Sequence, residues 1–349
     1  ENDSRFVIQM LVDAEERGAA VSNYTTVIEA ERVSQKWKLK VRDQILGKEF
    51  EVSSDVLVNA AGPEIKEISE MTKTETESHL VFSKGVHLVV PKVTDSGRIL
   101  AFFDETQRLF YVIPMGKCSV IGTTDERVEK PEVSVEGADI EFLLQEANRK
   151  LSLSTPLLKE DIIAERVGVR PLVIAKGGVD QDKDWTELSR KHIVEVNRKD
   201  RVISILGGKL SDCLNVGEEV VDGLDDLGYK TVKPSSRWYG EPSAAEKSIF
   251  FHKAKEIVTE KDSIEKLWRR HGSRSHEILK KIETTPTDGK NFSEIIDYCP
   301  AEISVMKDYE FIFTLEDFMR RRSLLGQTIH PEELMQDDGF KNLKKCLFD

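Results

Sequence analysis

The spacing of apolar residues changes twice along the chain, and each change marks a different kind of predicted structure. Arg5 to Arg17 carries apolar residues at helical spacing, and Gly18 follows as the expected C-terminal cap. Short apolar and β-branched runs come next and predict three strands, at residues 20–27, 36–42 and 50–59. A helix, a hairpin and a buried strand in succession are typical of the second half of a nucleotide-binding α/β domain.

From Ser78 to Thr124 the apolar residues fall into short runs separated by tight turns, which predicts an antiparallel sheet. The expected strands are residues 86–91, 98–103, 109–114 and 118–124. An amphipathic helix is predicted at Val135 to Leu151, and a further strand at Ile162 to Val169. That strand runs into Gly168-Val-Arg-Pro-Leu172, and a hairpin then extends from His192 to Leu206.

After Gly228 the strand signals stop and helical spacing takes over. Helices are predicted at residues 244–259, 263–271, 273–282 and 314–326, with one more in the tail from 331 to 349. The predicted fold class is therefore α/β + α. It combines a partial nucleotide-binding domain, a domain built on an antiparallel sheet, and an all-helical C-terminal domain. The corresponding segments are residues 1–68 with 165–232, residues 69–164, and residues 233–349.

The stretch from Val202 to Val220 reads as a buried strand, Gly207-Gly208, Lys209 and then a helix. Two glycines let the backbone turn sharply and let a flat ligand approach without meeting a Cβ atom. Ser211 or Asp212 is expected to cap the helix, whose N-terminus adds partial positive charge. The stretch predicts a binding site for an anion or a planar group. The competing interpretation is an ordinary strand-to-helix turn.

Composition narrows the classes of function. Charged residues make up 33% and hydrophobic residues 39%, as in soluble globular proteins, and the net charge of −12 argues against a nucleic-acid partner. The cysteines show no metal-ligand spacing, so we expect a reducing compartment and no bound metal. No apolar run approaches the ~18 residues of a spanning helix, and no signal-peptide pattern is present.

Short motifs occur in a definite order along nearly the whole chain. In the strand-rich part they are Val58-Asn-Ala-Ala-Gly-Pro63, Lys84-Gly-Val-His87, Ile121-Gly-Thr-Thr-Asp125, Gly168-Val-Arg-Pro-Leu172, Ser189-Arg190 and Gly207-Gly-Lys209. In the helical part they are Arg270-His-Gly-Ser-Arg274, Thr314-Leu-Glu-Asp-Phe-Met-Arg-Arg-Arg322 and Leu325-Gly326. Each is common by chance, but the ordered set resembles the FAD-dependent glycerol-3-phosphate dehydrogenase family of the DAO superfamily.

The resemblance implies oxidation of sn-glycerol 3-phosphate to dihydroxyacetone phosphate, with hydride transfer to N5 of FAD and electrons passed to quinone. It makes His87, Arg170 and Lys209 the expected catalytic residues. His87 is the expected proton acceptor, because histidine titrates near neutral pH. Without the family, Arg170 reads as a strand-end salt bridge, and the alternative for His87 is a core histidine satisfied by the backbone. The expected substrate contacts are Arg170, Arg190, Thr124 and Asp125.

The resemblance also places FAD against two turns rich in small residues. The expected contacts are Asn59, Ala60, Ala61, Gly62, Gly207, Gly208, Lys209, Leu210 and Ser211. The chain departs from the family directly after the lysine. Ser211-Asp-Cys-Leu214 stands where two threonines, an aromatic residue and an arginine are usual, and Val86 replaces a serine. Asp212 puts a carboxylate near an anionic reduced flavin unless it points away, so we expect a divergent branch.

The family's GxGxxG segment does not occur in these 349 residues, so we expect this polypeptide alone to bind FAD weakly or not at all. Three functions stay open. The first is the catalytic part of a glycerol-3-phosphate dehydrogenase, and the second is a related FAD-dependent oxidase or amine oxidase. The third is a non-catalytic fragment, or a subunit completed by a separate N-terminal chain. We expect a cytoplasmic location, either free or peripheral on the inner face of the membrane, where Arg320-Arg-Arg322 offers a basic patch.

Overall fold

The structure, a computed structural model, describes residues 2–103, 108–176, 191–232, 239–258 and 260–348. The chain divides into two compact units: Tyr24–Lys233, called here the sheet unit, and Glu1–Asn23 together with Pro234–Asp349, called the helical unit. The three-domain division expected from the sequence stays a prediction. It differs from the structure in one respect, because the first helix belongs to the helical unit and not to the nucleotide-binding segment.

The sheet unit contains short and medium strands with three α-helices between them in its described residues. The strands are β1 (Thr25–Val33), β2 (Lys36–Asp43), β3 (Glu49–Ser54), β4 (Leu57–Asn59), β5 (His79–Pro91), β6 (Leu100–Phe103), β7 (Leu109–Met115), β8 (Cys118–Gly122), β9 (Glu126–Val128), β10 (Ala164–Ile174), β11 (Ile193–Asn197) and β12 (Val202–Leu206). The helices are α2 (Ile65–Thr72), α3 (Gly137–Lys150) and α4 (Cys213–Asp226). β1, β2 and β3 form an antiparallel sheet of their own.

The central sheet has the strand order β10-β5-β8-β7-β6, β9 also pairs with β5, and all these pairings are antiparallel. Side chains of β5 alternate between its two faces. Val86 points to the apolar face, where it lies in one buried cluster with Leu143 of α3. Ser83, Gly85 and His87 therefore lie on the opposite face, which carries the candidate site. The predicted antiparallel sheet is confirmed.

Two turns of functional interest follow strands of the third sheet and leave that sheet at the same end. β4 is parallel to β12, with Asn59 opposite Ser204, and β11 is antiparallel to β12. Ile65 of α2 and Leu206 of β12 pack in one buried cluster and fix the helix to this sheet. Because β4 and β12 run in the same direction, the turns that follow both strands leave the sheet at the same end. In open α/β sheets this is the end at which ligands bind.

The helical unit confirms the predicted all-helical character of the C-terminal region. Its helices are α1 (Asp3–Glu16), α5 (Ala244–Ile257), α6 (Lys261–His271), α7 (Ser275–Thr284), α8 (Pro300–Tyr309), α9 (Leu325–Thr328), α10 (Pro331–Gln336) and α11 (Asp338–Phe348). Two apolar clusters form its core, one around Phe250 and one around Phe318. α1 is attached through Arg5, whose Nη2 lies 2.7 Å from a carboxylate oxygen of Glu310.

Three helical details differ from the sequence prediction. The single helix expected at 314–326 is instead a π-helical turn, Asp317–Arg322, followed by the short α9. The single tail helix is two helices, because Asp337 interrupts it and its Oδ1 accepts a hydrogen bond from the Phe340 amide at 2.9 Å. α8, which begins with a proline at its first position, was not predicted.

Candidate active site

The polar face of β5 and β10 forms the floor of a cavity of about 280 Å³. Strand register explains which side chains meet there, since Ser83 lies opposite Arg170, Gly85 opposite Gly168, and His87 opposite Arg166. Residues two apart on a strand share a face, so both arginines and the histidine lie on the same side of the sheet. The cavity is lined by Gly85, His87, Arg166, Val167, Gly168, Val169 and Arg170.

Arg170 lies across the backbone of β5, at the position that Gly85 leaves open. A Cβ atom on Gly85 would come within 2.5 Å of Arg170 Nη1, so only glycine accommodates the guanidinium there. Nη2 donates to Thr123 Oγ1 at 2.9 Å, and Nη1 lies 3.5 Å from Asp125 Oδ1. The side chain keeps 28% of its surface exposed. The strand-end salt bridge and a surface open to the cavity are therefore both present.

Thr124 and Asp125, two of the expected substrate contacts, are already engaged by the protein. Thr124 Oγ1 accepts a hydrogen bond from the Val86 amide at 2.9 Å, which fixes the end of β8 to β5. The Asp125 carboxylate accepts from Ser83 Oγ and from Arg170. This geometry supports a role for Asp125 in orienting Arg170. Direct substrate binding by either residue stays a prediction.

His87 stands against the other glycine of the site. A Cβ atom on Gly122 would lie 2.5 Å from His87 Cδ2, so the missing side chain gives the imidazole its place. Burial, together with the positive charges of Arg170 and Arg166, lowers the pKa of His87 to about 4. The imidazole is therefore neutral at pH 7 and able to accept a proton. His87 was expected to accept a proton because histidine titrates near neutral pH. In this structure its pKa is well below that range, so this reason does not apply.

Three side chains of this site were not singled out in the sequence: Arg166, Ser83 and Thr123. Ser83 and Thr123 contact Arg170 directly. Arg166 lines the cavity, and its positive charge contributes to the lowered pKa of His87. The motif Gly168-Val-Arg-Pro-Leu172 drew attention to Arg170 alone. Strand alternation would have found Arg166, because it lies four residues earlier on a predicted strand and thus on the same face.

The Gly207-Gly208 turn lies beside the strand that carries Arg170. Both glycines have positive φ, 64° and 99°, which favours glycine over other residues. A Cβ atom on Gly207 would lie 3.3 Å from the Pro171 carbonyl oxygen, so the turn touches β10 one residue beyond Arg170. Lys209 follows as an exposed side chain, and Leu210 and Ser211 are also exposed. The turn and the cavity are therefore neighbours.

Asp212 does not cap the helix, and neither does Ser211, so that prediction was wrong. α4 begins at Cys213 and its preceding residue makes no side-chain cap hydrogen bond. The Asp212 carboxylate instead accepts from Asn215 Nδ2 at 2.5 Å and lies 2.8 Å from His192 Nδ1. These contacts lower the pKa of Asp212. The other ring nitrogen of His192 lies 3.1 Å from Glu219 Oε1, off the line of a hydrogen bond.

The second turn, at residues 59–62, leaves the same end of the third sheet. Asn59 is buried and its Nδ2 donates to the Ile65 carbonyl at 3.0 Å, so its side chain braces the turn. Gly62 has a φ of 60° and open space at its Cβ position. Two neighbouring turns that lack bulky side chains fit the close backbone approach of a dinucleotide such as FAD. The predicted contacts by individual atoms stay predictions.

Arg190, the remaining expected substrate contact, lies outside the described residues, as does Ser189 before it. Among the residues that the structure describes, no group of three or more His, Cys, Asp or Glu side chains could hold a metal ion. Within the same ranges, no helix combines the length and the apolar character needed to cross a membrane.

Comparison with known proteins gives two family matches along the chain. Residues 2–189 match a family model described as FAD dependent oxidoreductase, and residues 236–332 match one described as the C-terminal domain of alpha-glycerophosphate oxidase. A solved structure of the glycerol-3-phosphate dehydrogenase from Bacillus halodurans, complexed with FAD, superposes with a TM-score of 0.74 at 21% identity. The alignment covers 99% of this chain and 67% of that one, and it shows the shared fold.

Curated relatives give a similar result over most of the chain. A protein from Synechocystis sp. named glycerol-3-phosphate dehydrogenase is 28% identical over 363 residues, covering 97% of this chain and 63% of the relative. The human mitochondrial glycerol-3-phosphate dehydrogenase is 25% identical over 344 residues, covering 93% of this chain and 46% of the relative. The chain therefore spans less than two thirds of the length of these relatives. The predicted fold class is confirmed.

Proposed function

The chain belongs to the FAD-dependent oxidoreductase family, and on this premise we propose that it oxidises sn-glycerol 3-phosphate to dihydroxyacetone phosphate as part of a flavoenzyme. The observation that carries the proposal is the cavity in which Arg166, Arg170 and His87 meet beside the Gly207 turn. Its volume, about 280 Å³, is at the small end of ligand pockets and suits a substrate of this size.

The cations of the sheet unit support an anionic substrate. A phosphate monoester carries a charge near −2 at neutral pH, and arginine binds its oxygens through a planar fork. Arg170 is held in place by Thr123 and Asp125, so little side-chain entropy is lost when substrate binds. We propose that Lys209 and Arg190 add further positive charge to the same site.

His87 is the proposed acceptor of the proton that leaves the substrate hydroxyl at C2. Its neutral imidazole has a nitrogen lone pair to offer at pH 7, since its pKa is lowered to about 4. A bound phosphate dianion would offset the charges of Arg166 and Arg170 and so raise the pKa of His87 toward its ordinary value. The residue would become a better base when the substrate is present, which is the moment at which a base is needed.

FAD is the cofactor of this family, and when bound it supplies the acceptor for the hydride that leaves C2 as the ketone forms. In this chain the residues proposed to hold it are the two turns, Asn59 to Gly62 and Gly207 to Ser211. The contact of Gly207 with β10 brings the second turn next to Arg170. The Asp212 carboxylate is occupied by His192 and Asn215, so it is not held free to oppose an anionic flavin.

The electron acceptor and the location belong to the same proposal. We propose quinone as acceptor and a peripheral contact with the membrane surface, by analogy with respiratory enzymes of this kind. The suggested basic patch at residues 320–322 needs one correction, because Arg322 is buried and its Nε donates to the Glu310 carbonyl at 2.6 Å. Arg320 and Arg321 both lie near Glu316, which reduces the positive charge further.

A related oxidase acting on amines or neutral substrates is the second candidate function. Two arginines in one small cavity disfavour it, because a protonated amine would be repelled and a neutral molecule would gain no attraction from either charge. A non-catalytic chain, or a subunit completed by a separate N-terminal chain, is the remaining alternative, and the same experiment separates all three.

The test is a dye-reduction assay with FAD present, run with and without an added N-terminal segment. Glycerol 3-phosphate, glycerol and an amine such as glycine serve as substrates. We expect reduction with glycerol 3-phosphate alone, and a loss of that activity in Arg170→Gln but not in Arg198→Gln. Arg198 is a suitable control, since it is an exposed arginine of the same unit that pairs with Asp226. Absence of reduction with and without the added segment would refute the proposal.

A further inference from the structure

The Gly207-Gly208 turn packs against a buried histidine that no motif of the family resemblance includes. His192 directly precedes β11, and Ile193 lies opposite Leu206 in the register of β11 and β12, so the histidine lies beside the turn that follows β12. Its side chain keeps only 8% of its surface exposed. A Cβ atom on Gly208 would lie 3.0 Å from His192 Cβ. The histidine therefore supports the start of the turn through direct contact with its backbone.

The same imidazole also holds the end of the turn. His192 Nδ1 lies 2.8 Å from Asp212 Oδ2. Hydrogen bonds from Asn215 and His192 lower the pKa of Asp212, so the carboxylate is ionised at neutral pH and Nδ1 is the donor. The Asp212 amide donates to the Lys209 carbonyl at 2.9 Å. The segment from Gly208 to Asp212, which carries three proposed FAD contacts, is thus fixed at both ends by one side chain.

The contact with His192 keeps Asp212 from capping α4. Aspartate is a preferred residue at the N-cap position, and Asp212 occupies that position, yet its side chain makes no cap hydrogen bond. Asn215, the other partner of the carboxylate, is itself a residue of α4 and does not tie it to β11. Loss of the imidazole would therefore free the carboxylate to turn toward the first amides of the helix. The turn would change its conformation while the helix stays formed.

The second ring nitrogen of His192 makes a weaker contact. Nε2 lies 3.1 Å from Glu219 Oε1 but forms no hydrogen bond within the described part of the chain. The Glu219 side chain keeps 52% of its surface exposed, and ion pairs with an exposed partner contribute little. The hold on the turn therefore comes from Nδ1 and not from Nε2.

We propose that His192 is a positioning residue for the cofactor: through Asp212 it holds residues 208–212 in the conformation that receives FAD. The inference rests on the proposed function for the FAD contacts of this turn, but it does not depend on the substrate. It applies to the part of the chain where Asp212 departs from the family pattern. The departure is then accommodated by a hydrogen bond that gives the carboxylate a fixed place.

The test is a titration of FAD into the full chain completed with an N-terminal segment, followed by flavin fluorescence. His192→Gln should weaken FAD binding by about tenfold, the loss expected for one hydrogen bond to a charged group. His192→Asn should restore most of the affinity, because its amide nitrogen lies close to the position of Nδ1, whereas that of glutamine lies close to Nε2. The control is His79→Gln, at an exposed histidine of the same unit, and it should bind FAD as the unmodified chain does.

Two further measurements separate a positioning role from a purely structural one. The free energy of unfolding of His192→Gln, measured with urea, should stay close to that of the unmodified chain, because the freed Asp212 can cap α4. In an Asp212→Ala background, His192→Gln should have no further effect on FAD affinity, since the two residues act through one contact. An equal loss of affinity with and without the Asp212 carboxylate would overturn the inference.

The outcomes distinguish this inference from the proposed function. Equal FAD affinity of the unmodified chain and His192→Gln overturns the inference, even if glycerol 3-phosphate is oxidised. Failure of the completed chain to bind FAD overturns it as well. If FAD binding depends on His192 but glycerol 3-phosphate is not oxidised, the inference stands and the proposed function fails.

Discussion

In the part of the chain that the structure describes, each unit contains a cluster of arginine and histidine, and the two clusters differ in the space that lies beside them. In the helical unit, Arg5 and Arg270 surround His271 and contact the carboxylates of Glu302 and Glu310. In the sheet unit, the cluster is the one that lines the cavity. The residue types are alike, so type alone does not tell a structural cluster from a binding site.

The helical cluster is fully compensated and buried. Arg270 lies 2.7 Å from Asp297 and 3.2 Å from Glu302, and its guanidinium stacks 3.8 Å from the centre of the Tyr298 ring. Burial alone would raise the pKa of Glu302, but Arg270 and the hydrogen bond from His271 lower it overall. The arrangement joins α6 and α8, because Arg270 and His271 of α6 both contact Glu302 of α8.

The sheet cluster lies beside an open volume. Two arginines and a histidine face the cavity, and the Asp125 carboxylate lies 3.5 Å from Arg170. Burial and the positive charges of Arg170 and Arg166 lower the pKa of His87. The comparison teaches that a charge cluster indicates binding when an open volume lies beside it.

The largest expected effect is on stability, in the helical unit. Glu302→Gln removes the carboxylate that Arg270 and His271 share, and leaving a buried charge without its partner costs about 3–5 kcal/mol. The free energy of unfolding, measured with urea, should fall by this amount, while phosphate affinity of the folded protein is unchanged. Glu332→Gln, at an exposed position in α10, serves as the control. A loss no greater than that of the control would mean that the cluster is not structural.

The next effect is on activity, in the sheet unit. Arg170→Gln removes charge-assisted hydrogen bonds worth about 1.5–3 kcal/mol each. Two such bonds to the substrate correspond to a loss in kcat/KM of roughly 100-fold or more. Because the side chain is partly exposed, the free energy of unfolding should change by less than about 1 kcal/mol. A large loss of stability with normal kcat/KM would place Arg170 with the structural cluster.

His87 should titrate far below the ordinary histidine value. Its Cε1–H resonance, assigned with His87→Gln, should show a midpoint near pH 4 in the free protein and a higher midpoint with phosphate bound. The lowered pKa of His87 also makes stability depend on pH. As the pH falls, the unfolded chain takes up a proton on this histidine before the folded chain does. The contribution of His87 to the free energy of unfolding is therefore complete above about pH 6.5 and is lost as the pH falls toward 4. A midpoint near 6.5 in the free protein would contradict the burial of His87 beside the two arginines.

The smallest effect concerns the position of Arg170 and not its charge. In Gly85→Ala the new methyl group would come within 2.5 Å of Arg170 Nη1, so the guanidinium must move. We expect kcat/KM to fall about tenfold, since displacement of a positioned binding group weakens catalysis. Gly217→Ala in α4 is the matched control, because nothing lies within 4 Å of its Cβ position. Equal activity of the two variants would show that the guanidinium position is not critical.

The sequence predicted the strands and two main residues of the site better than it predicted the contacts between side chains there. Short apolar runs predicted strands at residues 86–91 and 162–169, which are parts of β5 and β10, and motif order drew attention to Arg170 and His87. The low pKa of His87 could not be predicted, because it depends on the burial of the imidazole and on the pairing register that places Arg170 and Arg166 beside it. Arg166 itself was missed although period-two alternation along its own strand places it on the same face as Arg170.

Local signals failed where tertiary contacts decide the structure. The strand expected at residues 20–27 begins only at Thr25 and runs to Val33, because pairing with β2 sets its limits. The predicted cap at Asp212 was replaced by a contact with His192, a residue that the β11–β12 hairpin brings close. Such partners are chosen by the fold and are not visible in a window of neighbouring residues.

The central claim is that the cation-rich cavity of the sheet unit is a site of glycerol 3-phosphate oxidation. The most direct measurement is anaerobic mixing of the FAD-supplied protein, completed with an N-terminal segment, with glycerol 3-phosphate while the absorbance of oxidised flavin is followed. We predict rapid loss of that absorbance with glycerol 3-phosphate, none with glycerol, and a much slower loss in Arg170→Gln. Flavin that binds but stays oxidised with glycerol 3-phosphate, or is reduced equally by glycerol, would contradict the claim.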